Sequence, residues 1–440
     1  MSADSFSSET SIRSRRLLFL FPVWPEPYST AAGTRALFFL DTIRDARAQD
    51  SVCVAACSSL NHEACVQLKV RYPAFRFESV APNDPGFDSL IQEFQPDVVQ
   101  YERFMIEEQF GWRVVANRTG VLQLLDTSDL HFLRRARAKG MLLRNSPECA
   151  ELFSLTGAEK NDWLREMASI LRVQHSFLVS DFEERLLQNI RGFPHSKASV
   201  LRWGVTPLKK TRPSFEERAG LVMIGNFRHP PNREAVHFFK SHLWPHLRRE
   251  FPHLHVDIFG AYPSQEDQVL HDPQAGFFLK GHDLREGREI LASYRALVAP
   301  LGFGAGIKGK ILDAWAAGTP VITTELGAEG LRFALPEGAK AFAGVVCDRE
   351  NPAAWCKGLG ALTSQRDLWV RYQTMGDEVI SKYFEPRLLQ TQYLEVLDQL
   401  LAGQVSQSDF FQELLNAEER HSKRMLSRYI ELKESLKEEP

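Results

Sequence analysis

The stretch Pro300–Leu331, PLGFGAGIKGKILDAWAAGTPVITTELGAEGL, decides how this chain is read. An apolar run ends at Pro300. Gly302, Gly304, Gly306 and Gly309 follow, and glycines this dense expose backbone N–H groups and let the chain approach a ligand closely. A helix is expected to begin near Gly306, so its positive end points at the same place, an anion site suited to a diphosphate. Lys308 and Lys310 add two cations, expected to converge there with the amides. Asp313 lies one helical turn beyond Lys310, and a carboxylate there suits ribose or sugar hydroxyls rather than phosphate. Gly318-Thr319-Pro320 stops the helix and leads into the strand Val321–Thr323. The plain alternative is a Gly-rich turn with two solvated lysines, and the combination with a carboxylate weighs against it.

Outward from this stretch, short apolar runs alternate with amphipathic segments of helical length, the pattern of parallel sheets covered by helices. Strands are expected at Leu17–Pro22, Ser51–Ala56, Phe75–Val80, Val98–Tyr101, Val121–Leu125, Phe177–Val179 and Ser199–Arg202, with a helix over Gly33–Arg47. His131–Arg172 is expected to hold two or more helices around a loop near Pro147. The polar, proline-bearing segment Pro207–Arg218 reads as a linker. The alternation then restarts: strands at Leu221–Ile224, His255–Phe259, Phe277–Lys280, Ala296–Ala299 and Pro320–Thr323, with a helix over Asn232–Arg248.

Two α/β units of similar size follow. The division expected is a disordered segment 1–15, a Rossmann-like acceptor domain 16–206, a linker 207–218, a Rossmann-like donor domain 219–384, a closing helix 385–403 and a helical tail 404–440. Ligands of such sheets lie at the carboxyl ends of strands, and two facing domains place a shared ligand in the cleft between them. The tail carries a loose apolar stripe, Leu415, Met425, Tyr429, Leu432 and Leu436, which reads as a solvated or coiled-coil helix or as a protein-partner helix.

Composition narrows the class. With 44% hydrophobic and 25% charged residues the chain is globular, and a net charge of −3 with interspersed signs gives no case for nucleic acid. Cys53, Cys57, Cys65, Cys149, Cys347 and Cys356 form no Cys-x-x-Cys pair and read as free thiols of a reducing compartment. No apolar run is long enough to span a bilayer, and the first fifteen residues lack the apolar core of a secretion signal. A cytoplasmic protein is expected, with a peripheral place at a membrane left open.

Pro300–Leu331 resembles the donor-site signature of the retaining glycosyltransferases of family 4, which have the GT-B fold. The similar branch reads roughly G-x-G-x-K-x-K-x-x-E-A-x-A-x-G-x-P-V-(V/I)-T-T, then G-x-E-G-L. The resemblance implies that Lys308 contacts the donor phosphates. It implies that Asp313 takes the place of the second of two glutamates, which meets ribose. The first, which meets the transferred sugar, falls on Ala305 and is absent. Phe21–Pro27 and Ala31–Arg35 resemble the family's first strand, loop and helix, with Ala32-Gly33 where paired glycines are usual and Arg35 at the helix start. Leu125–His131 resembles the strand end lining the acceptor side, which makes Asp126 and His131 candidate catalytic residues and Glu102 a candidate cleft carboxylate. Helix capping by Ser128 or Asp129, and an ordinary ion pair between Glu102 and Arg103, are the alternatives. Ser180–Glu183 reads mainly as a helix cap.

Ile224–Asn232 resembles the first turn of the donor domain. Asn226 and Asn232 stand where an arginine and a lysine usually grip the diphosphate, and Arg228 offers a replacement cation; Asn232 reads equally as a plain helix cap. Gly260–Pro263 and Lys280–His282 are expected to border the base and ribose. The resemblance covers about residues 16–400. It implies sugar transfer from a nucleotide sugar to a carbohydrate, glycolipid or protein acceptor, with retention, no protein nucleophile, no cofactor and no metal. Two other classes stay open: a sugar-nucleotide epimerase, and a non-catalytic nucleotide-sugar-binding scaffold. A dinucleotide oxidoreductase is weaker, since no strand runs directly into Gly-x-Gly-x-x-Gly.

Overall fold

The structure, a computed structural model, describes residues 14–26, 31–140, 150–208, 211–283, 287–334, 340–403 and 410–438. Its first sheet holds β1 (Arg16–Phe21), β2 (Ser51–Ala56), β3 (Arg76–Ser79), β4 (Val98–Glu102), β5 (Leu122–Asp126), β6 (His175–Leu178) and β7 (Ala198–Val200). All are parallel, in the order β3-β2-β1-β4-β5-β6-β7. The second sheet holds β8 (Leu221–Ile224), β9 (Val256–Phe259), β10 (Phe277–Gly281), β11 (Ala296–Ala299) and β12 (Val321–Thr323), a hairpin β13 (Phe333–Ala334) and β14 (Lys340–Ala341) lies beside it, and β15 (Gly344–Val346) completes it. Its order is β10-β9-β8-β11-β12-β15, again parallel.

The helices of the first half are α1 (Ala31–Ala46), α2 (Glu63–Arg71), α3 (Gly86–Phe94), α4 (Phe104–Asn117), α5 (His131–Ala138), α6 (Ala150–Phe153), α7 (Gly157–Arg172) and α8 (Asp181–Gln188). Those of the second are α9 (Pro230–Phe238), α10 (Trp244–Glu250), α11 (Gly287–Leu291), α12 (Gly309–Ala316), α13 (Pro352–Ser364), α14 (Arg366–Tyr383), α15 (Pro386–Leu401) and α16 (Phe410–Glu438). Strands such as Leu17–Phe21 and Ala296–Ala299 are continuous apolar runs because helices cover both faces, and each of these residues is buried. In both sheets the strand order reverses beside the first strand, at β1/β4 and at β8/β11, which opens a crevice at the carboxyl ends.

The expected strands are present with ends moved by a residue or two. The hairpin and β15 were not anticipated; they are too short to show a period. The helix expected over Asn232–Arg248 is instead α9 and α10, joined by a wide turn in which the Trp244 N–H bonds the Phe239 carbonyl. Pro245, with no N–H to give, follows directly and favours the break. The loop expected near Pro147 lies outside the described residues.

The chain crosses between the sheets twice, and the crossings touch. Val205 N–H donates to the Phe384 carbonyl (2.8 Å), and a Cβ on Gly204 would lie 2.6 Å from Pro386 Cα. Beyond the second crossing α15 packs back on the first half. Tyr393 donates to Gln100 Oε1 (2.8 Å), and its ring lies 5.0 Å from that of Phe39 and 5.5 Å from that of Phe177.

The tail helix α16 docks on α4 and α7 of its own chain. Of the apolar stripe read from sequence, Met425 and Tyr429 are exposed, Leu415 is half-buried, and the side chains of Leu432 and Leu436 lie outside the described residues. A polar stripe makes contact. Gln412 accepts from Lys197 (2.7 Å), Asn416 donates to the Arg172 carbonyl (3.3 Å) and Lys423 to the Glu108 carbonyl (2.6 Å). Buried Arg113 donates to Ser427 Oγ (2.8 Å) and pairs with Glu431. The surface beneath offers charges and carbonyls, so polar residues complement it. A chain ending after Gly403 would strip Arg113 and Lys197 of these partners. It is expected to melt several degrees lower in calorimetry, since each lost bond to a charged group costs about 1.5–3 kcal/mol. No described helix is long and apolar enough to cross a membrane.

Candidate active site

In the second half the turn after β8 packs against α12. At Gly225 φ is 159°, and a Cβ there would lie 2.6 Å from Asn232 Nδ2 and 2.9 Å from Lys310 Nζ. Only glycine permits that approach. Lys310 Nζ donates to Asn232 Oδ1 (2.8 Å), and Asn232 Nδ2 to the Asn226 carbonyl (3.1 Å). His229 occupies the cap position of α9, so Asn232 is not the cap; it aims its amide at the lysine. Gly225, Asn232, Ala299, Leu301 and Lys310 line a cavity of about 10 Å³, room for one water. Burial pushes the Lys310 ammonium down to about 8.

Lys308 takes a different direction. Its buried ammonium donates to the carbonyls of Gly306 (2.5 Å) and Ala305 (3.4 Å), and burial lowers its pKa. The charges around it are Glu329, Arg137, Glu183 and Asp129, mostly of the first half. The two lysines therefore do not converge as expected. Lys308 is the extended residue that caps α12 (φ −93°, ψ 96°), whereas Lys310 lies inside its first turn, so the two side chains leave the backbone in different directions.

The glycine turn itself meets the first half. Gly306 has φ 62°, and a Cβ there would lie 2.9 Å from Val179 Cγ2 and 3.1 Å from Asp129 Cβ. Arg137 spans the boundary: Nη1 donates to the Gly304 carbonyl (2.9 Å) and to Glu329 Oε1 (2.8 Å), and Nη2 to Glu329 Oε2 (2.7 Å). Both side chains are almost fully buried, at 1% and 6% exposure. Ala305 packs into the apolar cluster of the first half, so the position without the family carboxylate faces that core. Asp313 is half-exposed and accepts from Arg288 Nε (3.0 Å), whose Nη1 holds the Thr206 carbonyl (2.7 Å). Arg228 lies 3.9 Å over the ring of Tyr262, a non-glycine residue at φ 61°.

Across the cleft, Arg35 is buried rather than solvated. Its Nε donates to Asp126 Oδ1 (2.7 Å) and its Nη1 to the Leu201 carbonyl (2.5 Å); Nη2 has no partner among the described residues. A solvent-side cation would only oppose the helix dipole, whereas this one neutralises Asp126. Gly33 is required by a close approach, for a Cβ would lie 2.1 Å from the Glu26 carbonyl oxygen. Glu102 pairs in register with Asp126 on neighbouring strands and contacts Arg103 (3.0 Å), and burial raises its pKa. So Arg35, Glu102 and Asp126 are brought together.

His131 is buried beside them, and burial pushes it down to about 3, so its ring is neutral. Its Nδ1 faces Arg134 Nη2 (3.1 Å), which can only donate, and its Nε2 lies 3.3 Å from Asp129 Oδ1. The proton therefore sits on Nε2, and the one lone pair is held by Arg134. The ring so placed orients its neighbours and offers no free base.

Two buried carboxylates hold the start of α5, a part the sequence reading did not give them. Glu166, inside α7, accepts from the N–H groups of His131 (3.1 Å) and Phe132 (2.8 Å), and burial pushes it up to about 8. Glu183 accepts from Leu130 N–H (2.9 Å) and Ser180 Oγ (3.0 Å), and burial pushes it to about 7. Ser180 is the helix cap that was expected, and Ser180-x-x-Glu183 has the capping-box spacing, yet Glu183 serves the neighbouring loop. Glu166 leaves no sequence signal. Since its folded pKa lies above the ordinary 4.5, the native state holds the extra proton between those values. The contribution of Glu166 to stability is then fully present at low pH and is lost as pH rises towards 8. Glu166→Gln is expected to remove that part of the slope in urea melts run across pH.

Among the described residues no group of three His, Cys, Asp or Glu side chains is arranged to hold a metal ion. Residues 218–365 match the family model described as Glycosyl transferases group 1. No curated protein matches the sequence. Among solved structures, sucrose-phosphate synthase from Thermosynechococcus elongatus is similar at TM-score 0.64 and 13% identity, over 88% of this chain and 100% of that one. A glycosyltransferase from Rickettsia africae gives 0.61 and 11%, over 88% and 99%. Anabaena HepE in complex with UDP and glucose gives 0.60 and 13%, over 87% and 99%. Two Rossmann-like sheets joined in this way are the GT-B fold, and the second half of the chain contains the stretch that matches the group 1 glycosyl transferase model.

Proposed function

We propose that this chain transfers a sugar from a nucleotide-diphosphate sugar to a hydroxyl acceptor in the cleft, with retention, as in glycosyltransferase family 4. The observation that carries the reading is the meeting of the Gly225 turn, Asn232, Lys310 and the start of α12 at the carboxyl edge of β8 and β11. It lies inside the stretch that matches the group 1 model. Asn226 and Asn232 replace the usual cation pair there. Lys310 supplies a positive charge through Asn232, so the substitution does not empty the site of charge.

The leaving diphosphate gathers negative charge as the glycosidic bond breaks. Lys310 and the amides of the glycine turn stabilise that charge, and the same phosphate takes the acceptor proton on the face it leaves. Arg35, Glu102 and Asp126 hold the acceptor hydroxyls, while Asp313, half-exposed and oriented by Arg288, meets ribose. UDP-sugars are the first donors to test, because the HepE structures hold UDP and UDP-glucose. A matching nucleotide sugar is expected to raise Tm by a few degrees at saturation, as about 100 Kd of ligand adds about 2.7 kcal/mol. A flat response across UDP-, GDP- and ADP-sugars would rule the proposal out. Release of an epimer of the donor sugar, without transfer, would favour the epimerase instead.

A further inference from the structure

The carboxyl edge of the first sheet carries a second concavity. A shallow, open depression of about 510 Å³ is lined by Cys57–Leu60 after β2, by Ser79 at the end of β3 and by Val80 and Ala81 beyond it. It is a groove on the surface rather than an enclosed cavity, and suits a ligand that lies along the sheet edge. One wall is anchored: the buried Trp24 donates from Nε1 to the Ser59 carbonyl (2.8 Å), and its ring lies 6.1 Å from that of Phe77.

The lining has no charged side chain. It offers three hydroxyls and a thiol beside Leu60, Val80 and Ala81. Hydroxyls can both donate to and accept from the hydroxyls of a ligand, and the apolar residues suit C–H faces. Such a lining has nothing to neutralise a phosphate, a carboxylate or an ammonium. Its chemistry fits a neutral polyol.

Its place on the sheet fixes its distance from the proposed reacting centre. The strand order is β3-β2-β1-β4-β5, so β2 lies three strands and β3 four from Asp126 at the end of β5. At about 4.8 Å per strand the pocket is about 14–19 Å away along the same edge. A monosaccharide held at Asp126 does not reach it.

We infer that this pocket is a distal acceptor subsite, and that the acceptor is an extended neutral glycan rather than a single sugar. The inference rests on the proposed acceptor end at Arg35 and Asp126. The pocket supplies binding energy away from the bond being formed, so longer acceptors bind more tightly.

Cys57 gives a direct test. It is half-buried, whereas Cys53, Cys65, Cys347 and Cys356 are buried. In a Cys149→Ser background of the full chain, iodoacetamide at mildly alkaline pH labels Cys57. The probes are glucose, N-acetylglucosamine, and malto- and chito-oligosaccharides of increasing length. At ten times its Kd, an oligomer is expected to slow labelling about tenfold, by mass action, and the monosaccharides are not. Ser79→Trp fills the pocket from an exposed position and is expected to abolish oligomer binding in calorimetry. Labelling that proceeds equally fast with every oligomer overturns the inference, as does unchanged oligomer binding by Ser79→Trp. Donor binding is read on the same preparation by thermal shift. A donor shift without protection sinks the subsite alone; protection without any donor shift sinks the glycosyltransferase reading and with it the acceptor role, leaving only a glycan-binding pocket.

Discussion

Lys310→Ala is expected to lower kcat for sugar transfer by about 10²–10³-fold, the usual cost of losing one preorganised contact to developing negative charge. Its ammonium reaches the Gly225 turn and donates to Asn232 Oδ1, and it forms no ion pair among the described residues. The variant loses one hydrogen bond from a partly buried site, so stability should change by only about 1–3 kcal/mol. Initial rates with the donor selected by thermal shift, set beside a urea melt, separate chemistry from folding. Because burial holds this group near 8, kcat/KM should also decline above that pH, as the cation needed for the leaving phosphate is lost. A variant with wild-type kcat would remove Lys310 from the mechanism. Lys308→Ala is a useful contrast. Its ammonium holds the Gly306 and Ala305 carbonyls, so its loss of turnover, more than about tenfold, should come from a misplaced turn.

Glu329→Ala is the second large effect. It leaves Arg137 buried and uncompensated, which costs about 3–5 kcal/mol. Each half has an apolar cluster of its own, while a third takes residues from both, so part of that cost can be relieved by loosening the boundary between the halves instead of unfolding either. The expected outcome is a larger radius of gyration in solution scattering and a fall in kcat/KM of at least about 100-fold. The swapped pair Arg137→Glu with Glu329→Arg should recover part of both. Identical scattering curves and kinetics for Glu329→Ala would show that the pair does not hold the cleft.

Much of this architecture was legible in the order of residues. Buried parallel strands are unbroken apolar runs, and a Gly-rich turn at a strand end has few other uses. Asp126 was legible too, being polar at the end of such a run. Arg35 was only half legible, because the helix dipole made it look ill placed, and its compensating carboxylate is 91 residues away. The convergence of Lys308 and Lys310 failed on local geometry: the helix expected from near Gly306 begins at Gly309, which leaves Lys308 extended before it and Lys310 inside it. Glu166 and the polar face of α16 were invisible for a different reason. Their partners are backbone amides and charges from remote elements, and a single helix carries no mark of which polar residue will be covered.

The paired crossings described above have a mechanical consequence. Two connections tied at Val205–Phe384 and pressed together at Gly204–Pro386 act like two pins of one door hinge set side by side. Opening is thereby expected to pivot where the two connections meet, because sliding there would break the Val205–Phe384 bond. A bulky residue at position 204 would wedge the pins apart and shift the pivot. It would change the entry and exit of substrates without altering any side chain that touches them.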